Sequence, residues 1–406
     1  MFVALRRLPA RPAVSRLAVL FAALGLAACG PTISRGPSPM SSAPPPGPTT
    51  PAVAPQGETI GSGPVRVGLI LPLTQASGPS VVGTSLRNAA DLAIAETGQT
   101  DITLLVKDDR SNAEGARAAT QAAIDEGADL IIGPLFANNV KEAGRIARAA
   151  GKPVIAFSTD TSAASRGVYL LSILVESYVD RIVSFAASKG KTSVAALVPE
   201  NEYGTLALAE FQSAAARNNM RVQGIERYTS ATLPAAVERI AALGPQIDSL
   251  FIPEQAEGMA AVSAQLVAKS VDPKKVQILG TGIWNDARVL KLPALQGAWF
   301  SAPENAGFNA FAGRYRAKYN SDPTRIATLS YDAVSLAVAL SRSQGSQRYS
   351  DGVLLNSSGF NGADGVFRFK PDGTNDRGLS VLQIGNGTTT VLSPAPRSFA
   401  GTPNGT

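Results

Sequence analysis

From Val65 onward, short continuous apolar runs alternate with longer stretches whose apolar positions recur three or four residues apart. The run Val65-Arg66-Val67-Gly68-Leu69-Ile70-Leu71 predicts a strand buried on both faces, and residues 81–96 a helix. Residues 102–106 predict the next strand, and Ser111 with Glu114 a capping box that opens a second helix. Strands at 129–132 and 153–157 flank a helix at 138–149. The pattern then restarts, with strands at 193–198, 222–226, 249–252, 276–279 and 298–300 and a helix at 205–218. Apolar strands without alternation, separated by helices, imply parallel sheets covered on both faces. The expected fold class is therefore α/β, with two doubly wound parallel-sheet lobes of about 110 residues each. A helix over 324–340 carries Ile326, Leu329, Ala333, Leu336 and Leu340 on one stripe. Near the end, residues 365–369 and 379–384 flank Pro371-Asp372-Gly373, which predicts a β-hairpin.

The residues before Val65 read differently. Arg6, Arg7, Arg11 and Arg16 precede a short apolar stretch, Leu17 to Leu26, and then Leu26-Ala27-Ala28-Cys29. A basic region, a short apolar core and small residues before a cleavage point make a processing signal over 1–28. Leu26-Ala27-Ala28-Cys29 resembles a bacterial lipobox at every position, which implies that Cys29 becomes the lipidated first residue of the mature chain. Several acyl chains together would hold it to a membrane. The resemblance places the chain in the periplasm, and Gly30, in place of an aspartate, leans toward the outer membrane. Residues 30–64 hold 10 of the 28 prolines and only Arg35 and Glu58 as charges, which suits an extended tether.

Composition narrows the chemistry. The chain has no histidine and one cysteine, so a Ser-His-Asp triad, a histidine base, a His-ligated zinc site and an internal disulfide are excluded. The formal charge of +6 falls to +2 once residues 1–28, with four arginines and no acid, are removed. No basic run or aromatic-basic stripe follows, so nucleic acid is not an expected partner. Asp108-Asp109 and Asp372-Gly373-Thr374-Asn375-Asp376 read as turns, no metal set is expected, and no cofactor is implied. Gly280-Thr281-Gly282 lacks the third glycine of a dinucleotide loop. A paired-carboxylate hydrolase using Asp160 with Glu202 or Glu254 is formally open, but no nucleophile elbow is present, and the expectation is a protein without catalytic residues.

In open parallel sheets ligands bind beyond the carboxyl ends of the strands. The candidate loops are therefore Leu71-Pro72-Leu73-Thr74, Gly133-Pro134-Leu135-Phe136-Ala137 and Phe157-Ser158-Thr159-Asp160 in the first unit. In the second they are Glu200-Asn201-Glu202-Tyr203-Gly204, Pro253-Glu254 and Gly280-Thr281-Gly282-Ile283-Trp284-Asn285. The candidate ligand-binding residues are Thr74, Phe136, Ala137, Ser158, Thr159, Asp160, Tyr203 and Trp284. Ser158 and Thr159 also suit helix capping, and Tyr203 and Trp284 also suit core packing.

The blocks Val67-Gly68-Leu69-Ile70-Leu71-Pro72-Leu73-Thr74, Gly127-Ala128-Asp129-Leu130-Ile131-Ile132-Gly133-Pro134 and Gly151-Lys152-Pro153-Val154-Ile155 carry a resemblance. With Asp108-Asp109, Tyr203-Gly204 and Tyr331-Asp332-Ala333 they resemble the type I periplasmic binding proteins of the leucine/isoleucine/valine-binding kind. That resemblance implies two lobes joined by three crossovers, near Ser172, Ala302 and Ser343, closing on a small amino-acid-like ligand. It divides the chain into lobe 1 (65–172 and 302–343), lobe 2 (173–301 and 344–396) and a flexible tail (397–406). It puts Ala137 where the family has a serine for a ligand carboxylate, Ser158, Thr159 and Asp160 in a second ligand loop, and Tyr203 over the ligand. The chain departs from the family in having no hydroxyl at Ala137 and no acid before Asp286 to hold an amine. The implied partners are a small solute and an ABC permease, with membrane contact through the lipid anchor only. The same blocks are similar to the penicillin-binding-protein activators, in which the fold contacts a peptidoglycan synthase instead.

Overall fold

The computed structural model describes residues 56–97 and 100–400. The leader, Cys29 and most of the tether lie outside the described residues. Two sheets organise the rest. The first runs in the order Thr59–Ile60, Ile102–Asp108, Val65–Leu71, Leu130–Ile132, Val154–Ala156, Val168–Leu170. All neighbours are parallel except the Thr59–Ile60 edge, which pairs antiparallel with Ile102–Asp108. The end of the expected tether is thus part of the sheet: Ile60 is buried, and Glu58 pairs with Arg87. The cause is local, because an exposed strand edge offers unpaired backbone groups that an extended segment can satisfy.

The second sheet runs Arg221–Tyr228, Ser193–Pro199, Ser249–Phe251, Gln277–Gly280, Trp299–Ala302, Ser380–Gly385, Thr388–Ser393. Its first five strands are parallel and its last two antiparallel. Each sheet is covered on both faces, and the period-two alternation of the strands sorts their side chains between two cores. Val67, Leu69 and Leu71 face the helices Val81–Thr97 and Ala327–Ser343, whereas Ile70 and Ile131 face Ala113–Asp125 and Ala137–Ala149. Leu197, Leu250 and Ile278 face Leu233–Ala242 and Ala256–Ala268, whereas Val198, Phe251 and Leu279 face Val175–Ser188 and Glu202–Arg217. Continuous apolar runs are what such two-sided burial requires.

Crossovers carry the chain from one sheet to the other. The first passes Ser172 into the helix Val175–Ser188, and the second passes Ala302 and Pro303 into Asn305–Tyr319, which packs on Val81–Thr97 through Phe311, Tyr315, Ala89 and Leu92. The third is displaced. Tyr349, Leu354, Phe367 and Phe369 all pack in the first core, so the chain after Ser343 stays with the first sheet. It forms a small antiparallel sheet, Phe360–Gly362, Gly365–Phe369 and Asn375–Arg377, and joins the second sheet only at Ser380–Gly385. Asn375 donates to the Leu170 and Ser172 carbonyls at 2.5 and 2.9 Å, which holds the small sheet to the first crossover.

The expected hairpin is also rearranged. Gly365–Phe369 turns through Asp372-Gly373 but pairs with Asn375–Arg377, and Ser380–Gly385 makes its own hairpin with Thr388–Ser393. The second helix is capped by Asn112, whose side chain accepts from the Gly115 amide at 2.8 Å, and not by Ser111, whose φ is 55°. At the other end, Phe399 is buried under the Arg368 guanidinium, 4.7 Å away, so the exposed stretch around it is held to the fold at that one residue.

Candidate functional site

A cleft of about 630 Å³ opens between the lobes at the carboxyl ends of both sheets. The first crossover supplies Ser172 and Ile173, and the helix that follows supplies Val175 and Tyr178. The second supplies Ala302, Pro303, Asn305, Phe308 and Asn309. Ile283, Asn285 and Leu290 line it from the second lobe, and Thr159, Arg325, Ile326, Thr328 and Asp364 from the first. The lining is thus an apolar and aromatic wall interrupted by amides, hydroxyls and a single ion pair, a composition that suits a small organic solute. Two other hollows, of about 550 and 590 Å³, lie away from it: one at the amino-terminal edge of the second sheet around Asp248 and Lys275, the other beside Glu304 and Arg397.

Tyr203 and Thr159 are the two candidates that reach the cleft. Tyr203 stands at the start of Glu202–Arg217, a helix capped by Asn201, and its hydroxyl lies 2.7 Å from the Thr281 hydroxyl. Burial raises its pKa, so the ring presents a neutral phenol. Tyr178, one turn into its helix, has its phenol pushed up to about 12 by burial, with Arg325 and Asp364 nearby acting in opposite senses. Its ring lies against Gly282, where a Cβ would come within 2.3 Å of Tyr178 Cε1.

The other candidates sit elsewhere. Trp284 is fully buried, packs with Leu295, Phe300 and Ile252, and donates from Nε1 to the Glu254 carbonyl at 3.2 Å. It is a core residue and not a cleft wall; its neighbour Ile283 faces the cleft instead. Ser158 is buried and accepts from the Asp160 amide at 3.1 Å. Asp160 caps the turn Thr161–Ala163, and hydrogen bonding to Ser162 lowers its pKa. Thr74 gives its hydroxyl to Asp108 at 2.5 Å, and Asp108 also accepts from the Leu73 and Arg110 amides at 3.0 and 2.8 Å. Phe136, 46% exposed, precedes the helix Ala137–Ala149, and neither Phe136 nor Ala137 lines the cleft. Strand-end position brought these residues to the right edge of the sheet, but turn and cap geometry consumes their polar groups. Glu254 is likewise committed, accepting from Tyr228 at 2.5 Å and from the Gln255 amide at 2.7 Å.

The residues that sequence reasoning missed come from the crossovers and the helices after them. Asn285 donates to Asn305 Oδ1 at 2.7 Å, tying the second lobe to the helix Asn305–Tyr319. Arg325 makes a two-pronged pair with Asp364 at 2.7 and 2.8 Å, and Thr328 donates to Asp364 at 2.5 Å. The Arg325 guanidinium lies 4.6 Å from the Phe308 ring centre. Their signal was indirect, since a crossover between two lobes must pass the cleft floor. Among the described residues, no cluster of acids, histidines or cysteines is placed to hold a metal ion, and no helix is long and apolar enough to cross a membrane.

Solved structures share this fold. A candidate branched-chain amino acid ABC transporter protein from Rhodospirillum rubrum superposes with a TM-score of 0.71 at 19% identity, covering 81% of this chain and 99% of its own. A leucine-binding protein from Thermotoga maritima gives 0.56 at 20% identity, covering 82% and 98%. A solute-binding protein of an ABC transporter from Rhodopseudomonas palustris, in complex with 3,4-dihydroxybenzoic acid, gives 0.55 at 19% identity, again covering 82% and 98%. No curated protein matches the chain. A family model described as periplasmic binding protein matches residues 64–389, which include every residue lining the cleft, and the chain therefore belongs to the periplasmic binding protein family.

Proposed function

We propose that this chain is a non-catalytic envelope lipoprotein that takes one small solute, of amino-acid size, between its two lobes and presents it to an ABC permease. The observation that carries this reading is the interlobe cleft, whose volume lies within the range of small-ligand sites and whose walls come from both lobes and two crossovers. Tyr178, Tyr203 and Phe308 supply aromatic faces, and Asn285, Asn305 and Asn309 supply neutral hydrogen-bonding groups. The Tyr203 and Thr328 hydroxyls are held in hydrogen bonds to Thr281 and Asp364, and binding is the chemistry this reading gives the site. Cys29 would anchor the mature chain by its lipid, and the proline-rich segment after it would let the lobes stand off the bilayer.

A thermal-shift screen of the full chain in detergent tests the reading. The panel holds amino acids, organic acids, amides, sugars, short peptides and muropeptides. A ligand at about 100 times its Kd should stabilise the fold by about 2.7 kcal/mol. A response that a bulky substitution at Ile283 abolishes would support the cleft as the site. A flat panel would sink it and turn attention to contact with a peptidoglycan synthase.

A further inference from the structure

Resting on the solute-binding reading, we infer that the cleft selects an organic carboxylate with an apolar body and no ammonium group, and that Arg325 anchors its charge. Arg325 and Asp364 are the charged residues among those lining the cleft. They are not equivalent. The Asp364 side chain is fully buried, and its oxygens are taken by both arms of Arg325 and by the Thr328 hydroxyl. A ligand ammonium would therefore find no open carboxylate there, and the rest of the lining offers it only neutral groups. Arg325 is 40% exposed at its side chain. Its guanidinium has five N–H donors, and those not spent on Asp364 remain for a ligand. Phe308 beneath it fixes the plane of the fork.

A second cation reinforces the first. Arg377 is fully buried at its side chain, and its Nε donates to the Ser172 carbonyl, a residue of the cleft wall, at 3.4 Å. Its Nη1 forms an ion pair with Asp332 Oδ2 at 3.9 Å, Nη1 and Nη2 make no hydrogen bond, and the guanidinium stands 5.2 Å from the Phe367 ring centre. Two guanidinium groups thus lie at or just behind the cleft floor, Arg325 partly exposed and Arg377 buried beside Asp332. The carboxylate contact proposed here comes from the hinge side of the cleft. The strand-end loop around Ala137, where the sequence resemblance places it, does not line the cleft.

Matched ligands test this on the unaltered full chain by titration calorimetry near neutral pH. Isocaproate, leucine and isocaproamide share one body, as do hydrocinnamate, phenylalanine and hydrocinnamamide. The acid of a set should bind at least about tenfold more tightly than its amino acid and its amide, a difference typical of a partly buried charged contact. Arg325→Lys keeps a counter-charge for Asp364 but loses the fork, and should weaken the acid about tenfold while leaving the amide unchanged. Equal or tighter binding of the amino acid overturns the inference and leaves solute binding intact. So does equal binding of the amide, or the failure of all six when another solute of the wider panel binds. Failure of every solute would overturn the parent reading as well.

Discussion

Trp284 shows how a residue type can be read in two ways and why burial decides. An indole at a strand end could wall a cleft, but here it is fully buried among Phe300, Leu295 and Ile252. Trp284→Ala should cost about 3–5 kcal/mol of stability, as a large-to-small core change does. Urea melts would show the loss with or without ligand, and a selective loss of ligand affinity at unchanged stability would contradict the assignment. Asp332 makes a pH prediction. Burial raises its carboxyl from the ordinary 3.8 to about 7, while Arg377 and the Ala363 amide pull the other way and Asp364 adds to the rise. Below the ordinary value the group is protonated in both the folded and the unfolded chain. As pH rises from there to about 7, the unfolded chain ionises first, so the stability tied to the neutral buried form is progressively lost. Asp332→Asn, neutral throughout, should flatten that decline, and comparing urea midpoints of the two proteins at about pH 5 and about pH 8 would detect it.

At the scale of elements, the apolar runs of 65–71, 193–198 and 249–252 were legible because burial on both faces makes these strands almost wholly apolar, with Arg66, Ser193 and Ser249 at or near their starts. Their crossover helices were legible from the stripes that cover them. The small third sheet was not. Asn375-Asp376-Arg377 is wholly polar, and its pairing with Gly365–Phe369 is set by tertiary contacts at Leu170 and Ser172. The last hairpin carries an Asn386-Gly387 turn with φ of 52° and 73°, the positive pair that a two-residue turn of this kind needs. Asn386→Val should cost about 1–3 kcal/mol for holding a β-branched residue there, read as a lower urea midpoint. Gly282 makes a different demand, because a Cβ there would come within 2.3 Å of Tyr178 Cε1 and 2.6 Å of its Cζ. Gly282→Ala would drive that ring toward the cleft. It should weaken solute binding while costing about 1–3 kcal/mol of stability, the usual range for overpacking, and calorimetry beside a melt separates the two effects.

For the whole molecule, the lipid anchor is a proposal that fractionation can test. Cys29→Ser removes the only cysteine and should move the protein from the membrane fraction to the soluble one. Persistence in the membrane fraction would mean another means of attachment. What the sequence by itself determined was the two-lobed α/β plan with parallel sheets covered on both faces. It follows from local periodicity and from the topology of parallel sheets, which short stretches of chain encode. Only the tertiary structure decided which side chains face the cleft. Ser158, Asp160 and Thr74 spend their polar groups on neighbouring turns, and Trp284 turns into the core. Tyr178, Asn305, Arg325 and Asp364, separated by up to nearly two hundred positions in sequence, meet at the floor. No local pattern can announce that meeting, because it is made by crossovers that bring distant segments together only once both sheets have formed.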